Sequence, residues 1–216
     1  VPRPQFIDID GDGDLDLFVQ ERSNDLMHFE NTGTPASARY EWRSDKYRDI
    51  DIGEWYRFID MDGDGDHDMI AERPFSYIRL YENTGSATAP RFEVAGDTLR
   101  DAAGSPIFAD RQNIANAADL DCNGLMDLFL GRVDGTIAHY SLLPGGDVPR
   151  FAFVTERFQG IEIIGQVMGS ARHGANRVQA FAFIVQMCGQ RREEDRNVVA
   201  PSTIARARPG RLRRAA

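Results

Sequence analysis

The fold class this sequence predicts is all-β, built from three consecutive units of like design. Three observations carry that expectation. One nine-residue acidic string occurs three times, the copies stay aligned without a gap for more than twenty residues beyond it, and the flanking segments read as short strands separated by turn residues. The C-terminal part follows none of these patterns and is expected to be irregular or disordered.

The string holds Asp8, Asp10, Asp12, Asp14 and Asp16, then Asp60, Asp62, Asp64, Asp66 and Asp68. An eroded third copy holds Asp119, Asp121, Asn123, Leu125 and Asp127. Five carboxylates in nine residues repel one another unless a cation neutralises them. Calcium takes six to eight oxygen ligands, so it fits D-x-D-x-[DN]-G-x-x-D with side-chain oxygens at positions 1, 3, 5 and 9. At position 7 the backbone carbonyl of Asp14, Asp66 or Leu125 supplies a further oxygen, and glycine at position 6 allows the turn. The competing reading, solvated acidic turns without an ion, does not account for three spaced copies between apolar segments. The expectation is up to three Ca²⁺ ions, structural rather than catalytic, because protein oxygens can fill every position and catalysis needs an open one.

The loops begin 52 and then 59 residues apart. At offset 20 from the first Asp stand His28, Leu80 and His139, and at offset 21 Phe29, Tyr81 and Tyr140. At offset 32 stand Tyr40, Phe92 and Phe151. These aromatics, and the offset-20 histidines, are expected to pack in the core; His67 is expected to flank its loop. The seven extra residues fall after the offset-32 aromatic, as expected of stacked repeats with one variable connection. Strands are expected before each loop (5–7, 57–59, 116–118), after it (17–20, 69–72, 128–131), beyond the next turn (26–30, 77–82, 136–141) and at the offset-32 aromatic. Three to four antiparallel strands in about 50 residues is the size of a propeller blade.

An EF-hand or dockerin loop would need an acid at position 12, and Val19, Ala71 and Leu130 stand there instead. The strings from Phe6 to Val19 and from Phe58 to Ile70, with the turns Glu30-Asn31-Thr32-Gly33 and Glu82-Asn83-Thr84-Gly85, resemble FG-GAP/VCBS-type repeats, the family that includes the integrin α-subunit propeller. The resemblance implies a β-propeller whose blades each hold a calcium loop. Three blades do not close a ring, so a partial propeller is expected, with further repeats belonging to a longer protein. Unit three departs from the pattern at Cys122, in place of glycine, and at Asn123, in place of aspartate, which puts its ion affinity in question.

The expected organisation is residues 1–158 as three repeats (about 4–42, 56–95 and 115–154), then 159–216 as the start of a degenerate fourth repeat and a basic tail. Residues 158–165 are expected to be an opening strand. Residues 1–171 carry a net charge of −16 and residues 172–216 one of +7. The acidic part argues against nucleic acid as a partner. An abrupt change of composition, where a fourth metal loop is due near Phe183, suggests a lost reading frame around residues 174–183. Cys122 and Cys188 make no disulfide framework, and two free thiols are expected. No apolar run is long enough to span a membrane, and no catalytic constellation stands out. The resemblance implies a non-enzymatic module, extracellular, at the cell surface or periplasmic, that offers an adhesion or scaffold surface to a protein or glycan. The alternative is a propeller accessory region of a larger secreted enzyme.

Overall fold

The computed structural model of the chain describes residues 3–109, 115–146 and 148–162. The expectations for the basic tail, the missing fourth loop and Cys188 lie outside the described residues. Each unit folds as a four-stranded antiparallel meander, and the described residues form no closed barrel. The first holds β1 (Arg3–Ile7), β2 (Asp16–Gln20), β3 (Leu26–Asn31) and β4 (Tyr40–Ser44). The second holds β5 (Tyr56–Ile59), β6 (Asp68–Arg73), β7 (Tyr77–Asn83) and β8 (Phe92–Gly96). Between it and the third lies β9 (Arg100–Asp101). The third holds β10 (Asn116–Ala118), β11 (Asp127–Gly131), β12 (Ile137–Leu142) and β13 (Arg150–Thr155).

Burial follows position in the stack. β2 alternates buried and half-buried residues, whereas β6 is buried on both faces from Asp68 to Glu72. A strand covered on one side shows period-two patterning, and one covered on both reads as a continuous apolar run. Ile7, Ile9, Phe18, Leu26 and Tyr47 of the first unit form one core cluster with Tyr56, Phe58, Met69, Ala71 and Tyr81 of the second. Met61, Ile70, Ile78 and Leu80 of the second cluster likewise with Leu128, Leu130, Tyr140 and Phe151 of the third. Two side chains tie β1 to β5, the first strands of the first two units. Gln5 donates to the Phe58 carbonyl (3.2 Å) and accepts from the Phe58 N–H (3.1 Å), while the Tyr56 hydroxyl donates to the Arg3 carbonyl.

Each unit has a register shift between the same offsets, at His28/Phe29, Leu80/Tyr81 and His139/Tyr140. The extra residue of each bulge is on the fourth strand, at Arg43, Ala95 and Val154, while strand alternation alone sends Leu80 toward the third unit and Tyr81 toward the first. His28 stacks on Phe18 (4.6 Å between centroids) and His139 on Phe129 (4.8 Å), so both histidines are packed strand residues.

Three features differ from the sequence expectation. The seven-residue excess folds rather than merely connecting: the Leu99 N–H donates to the Ile78 carbonyl, the Ala109 N–H to the Ser76 carbonyl, and β9 pairs parallel to β13 as a fifth strand. A two-residue strand has no periodicity to read. Phe158–Gly160 is a 3₁₀ turn rather than part of an opening strand, and it repeats Tyr47–Asp49, with Gln159 and Arg48 both at positive φ. Its side chain packs in a small apolar cluster, which a turn can provide as well as a strand. Cys122 is disulfide-bonded, which corrects the expectation of a free thiol there. Disulfide formation depends on tertiary approach, which sequence does not reveal.

Candidate metal-binding loops

The three acidic strings form the β1–β2, β5–β6 and β10–β11 connections, closed by the strand pairs Ile7–Asp16, Ile59–Asp68 and Ala118–Asp127. The position-6 glycines Gly13, Gly65 and Gly124 have φ of +94°, +94° and +86°. Position 4 is also left-handed: Gly11 at +71°, Gly63 at +79° and Cys122 at +62°. A Cβ at Gly11 would lie 2.9 Å from Thr88 Cγ2 of the neighbouring unit, so glycine there also permits close contact between units.

The acids fold their own loop. The position-6 N–H donates to the far oxygen of the first Asp in every copy: Gly13 to Asp8 (3.0 Å), Gly65 to Asp60 (3.1 Å) and Gly124 to Asp119 (3.0 Å). The position-7 N–H donates to the position-5 side chain: Asp14 to Asp12 (2.9 Å), Asp66 to Asp64 (2.9 Å) and Leu125 to Asn123 (2.7 Å). These bonds wrap the backbone around the side chains at positions 1, 3 and 5. Carboxylate oxygens of Asp8, Asp10 and Asp12 lie within 4.8 Å of one another, as do those of Asp60, Asp62 and Asp64.

The donor set fits a hard cation. In the first loop Asp8 Oδ1 and Asp14 Oδ1 are buried without a hydrogen-bond partner, a costly state that a bound cation would relieve. Burial and then the neighbouring aspartates push the carboxyls of Asp10, Asp14 and Asp66 above the usual range. Asp8, Asp10, Asp12, Asp60, Asp62 and Asp64, with the position-7 backbone, are the residues that would hold such an ion. In the third loop Asp119 and Asp121 keep the geometry, with Asn123 as the third oxygen donor.

The position-9 aspartates stand apart from these triads. Asp68 accepts from the Met61 N–H (3.0 Å) with one oxygen and from the Asn83 N–H (2.8 Å) with the other. Burial, partly offset by these bonds, raises its carboxyl to about 7. Asp16 accepts from the Asn31 N–H (2.8 Å) in the same way. Asp127 instead meets the Ser141 hydroxyl (2.7 Å) and His139 Nε2 (3.0 Å). This carboxylate therefore ties the loop to the third strand of its sheet.

Asn31 and Asn83 complete the brace, a role that sequence reasoning missed. Asn31 Oδ1 accepts from the N–H groups of Gly33 and Arg39, and Asn83 Oδ1 from those of Gly85 and Arg91. The repeated Glu-Asn-Thr-Gly string was the available signal; read as a turn, it conceals the link from asparagine back to the acidic loop.

A family model described as FG-GAP-like repeat matches residues 8–71, from the first acid of loop one to the strand after loop two. No curated protein matches the chain. The matched span, with its two full acidic loops and the antiparallel sheets that carry them, is FG-GAP-type repeat sequence.

Proposed function

We propose that the chain is a calcium-stabilised, non-catalytic repeat module that works outside the cytoplasm as an adhesion or scaffold surface for a protein or glycan. The observation that carries this reading is the pair of three-carboxylate clusters, Asp8/Asp10/Asp12 and Asp60/Asp62/Asp64, in loops that also join neighbouring strands. An ion there offsets the mutual repulsion of the acids and locks the strand connection. Each loop sits at the edge of a packed unit, which suits a fastener better than a reaction centre. Calcium at the about 10⁻⁴–10⁻³ M that weak extracellular modules require is available outside cells, which supports the location. No helix among the described residues is long and apolar enough to cross a membrane.

Calcium titration by calorimetry, with thermal melts of the same protein in calcium and in chelator, tests the metal reading. Binding and a higher midpoint in calcium are expected, and identical midpoints would overturn it. A glycan array and a pull-down from surface proteins, each with and without calcium, test the binding surface. Binding that is indifferent to calcium would detach the function from the loops.

A further inference from the structure

A cleft of about 420 Å³ opens between the first and second units. It lies at the end of the strands away from the acidic loops. Those loops close on the pairs Ile7–Asp16 and Ile59–Asp68, whereas the cleft is walled by the turns after β2 and β6 and by the 51–54 segment that leads into β5. None of the loop acids lines it.

The floor is fixed from both units. Gln20 Nε2 of the first donates to the Gly53 carbonyl (2.6 Å), and the Glu54 N–H donates to the buried Glu72 carboxylate of the second (2.6 Å). A Cβ on Gly53 would lie 2.7 Å from the Glu72 carbonyl oxygen, so the segment sits directly on β6. A site held this firmly loses little further freedom when a ligand enters.

Phe75 lines the cleft and is 78% exposed. Its backbone is left-handed, at φ +71°, a conformation that is costly for a bulky residue. At the same offset the other units have Ser23 and Asp134, neither at positive φ. The Phe75 ring joins no core cluster among the described residues. The second unit thus holds a strained, solvent-facing aromatic that its own packing does not use.

The polar groups of the cleft carry both signs of charge. Arg73 and Arg79 are each paired with Asp97, and Asp51, Glu54 and Glu72 bring carboxylates. An anion would meet the three carboxylates, and a cation the two guanidinium groups. A neutral ligand rich in hydroxyls uses both kinds of group, because a hydroxyl donates and accepts. Asn24, from the turn of the first unit, adds an amide with the same double capacity.

We propose that this cleft binds a neutral saccharide, with Phe75 against the C–H face of a sugar ring and Glu54, Arg73 and Asn24 on its hydroxyls. The assignment rests on the glycan reading above and sets that surface at the opposite end of the strands from the metal loops.

A glycan array of neutral, sialylated and sulfated saccharides, probed with the whole chain in calcium, tests this. Neutral saccharides are expected to bind. Calorimetry with the tightest of them should show about tenfold weaker binding in Phe75→Gly and in Glu54→Gln. Glycine suits a positive φ, so Phe75→Gly removes the ring and keeps the turn, which a melting midpoint no lower than wild type verifies. Val133→Ala, at another apolar residue that is 78% exposed, should bind as wild type does. No neutral saccharide bound, a preference for charged glycans, Phe75-dependent capture of protein stripped of glycan, or binding that survives both substitutions would each overturn the proposal. Neither substituted residue lies in an acidic loop, so these failures leave calcium binding as measured, and a chain that binds saccharide but not calcium would overturn the metal reading alone.

Discussion

Loops two and three share a backbone and differ in charge. Both place glycine at position 6 at strongly positive φ, and both bond that N–H to the first aspartate. Loop two holds three carboxylates close enough for one ion, whereas loop three substitutes Asn123 for the third and Cys122 for a glycine. The hydrogen bonds that shape the loop need an oxygen at position 5, and an amide oxygen serves as well as a carboxylate one. Loop geometry and loop charge are therefore separable, and the third unit retains the first with less of the second.

The strongest way to break the comparison is to remove the ion. An ion that binds only folded protein stabilises it by about 2.7 kcal/mol when present at a hundred times its dissociation constant. With two full loops, chelation is expected to lower the melting midpoint markedly, and the double variant Asp10→Ser/Asp62→Ser should lose most of that difference. A calcium-insensitive wild type would remove the distinction between the loops.

The braces come next. Asn83→Ala strips the partner from two backbone N–H groups, those of Gly85 and Arg91. A cost of about 1–3 kcal/mol is expected for such a loss, measurable by urea denaturation. Leu142 occupies the corresponding place in the third unit, which lacks that brace, and Leu142→Ala should leave the adjoining loop's calcium affinity unaltered.

Exchange at position 5 sharpens the comparison directly. Asp64→Asn keeps the acceptor for the Asp66 N–H and discards the charge, while Asn123→Asp does the reverse. Calorimetry should show one site weakened by about tenfold, about 1.4 kcal/mol, in the first variant and a third site strengthened in the second. Equal affinities in both would mean that charge at this position does not decide binding.

The smallest expected effect is on pH. Asp68 is raised from 3.8 to about 7, burial being the largest cause. An acid with a raised folded-state value binds its proton more tightly when folded. Its contribution is full below the unfolded value and is lost as pH rises to the folded one, between about 4 and 7. In chelator the midpoint should therefore fall between pH 5 and pH 8. Calcium should oppose this fall, since ion binding favours deprotonated ligands.

Much of this structure is legible residue by residue. The offsets of Phe18, Ile70 and Phe129 place them on one face, and the gap-free alignment locates all four strands of each meander. The acidic triads are legible because the charge cluster and the loop turn are formed within nine neighbouring residues. The double duty of position 9 is not: Asp68 looks like any other loop acid until Met61 and Asn83 are seen to share its two oxygens. Nor is β9, whose two residues gain a partner only when the connection crosses to β13.

Local chemistry thus determined the repeat, its strands and its acidic loops, because turns, strand alternation and charge clustering act over a few residues and leave a pattern. The tertiary structure alone decided which loop carboxylate braces a neighbouring strand. It also decided which of two equally apolar faces meets a neighbour. Phe6 and Phe58 are the same residue at the same offset, yet one is exposed and the other buried, because burial depends on what stands opposite rather than on the residue itself.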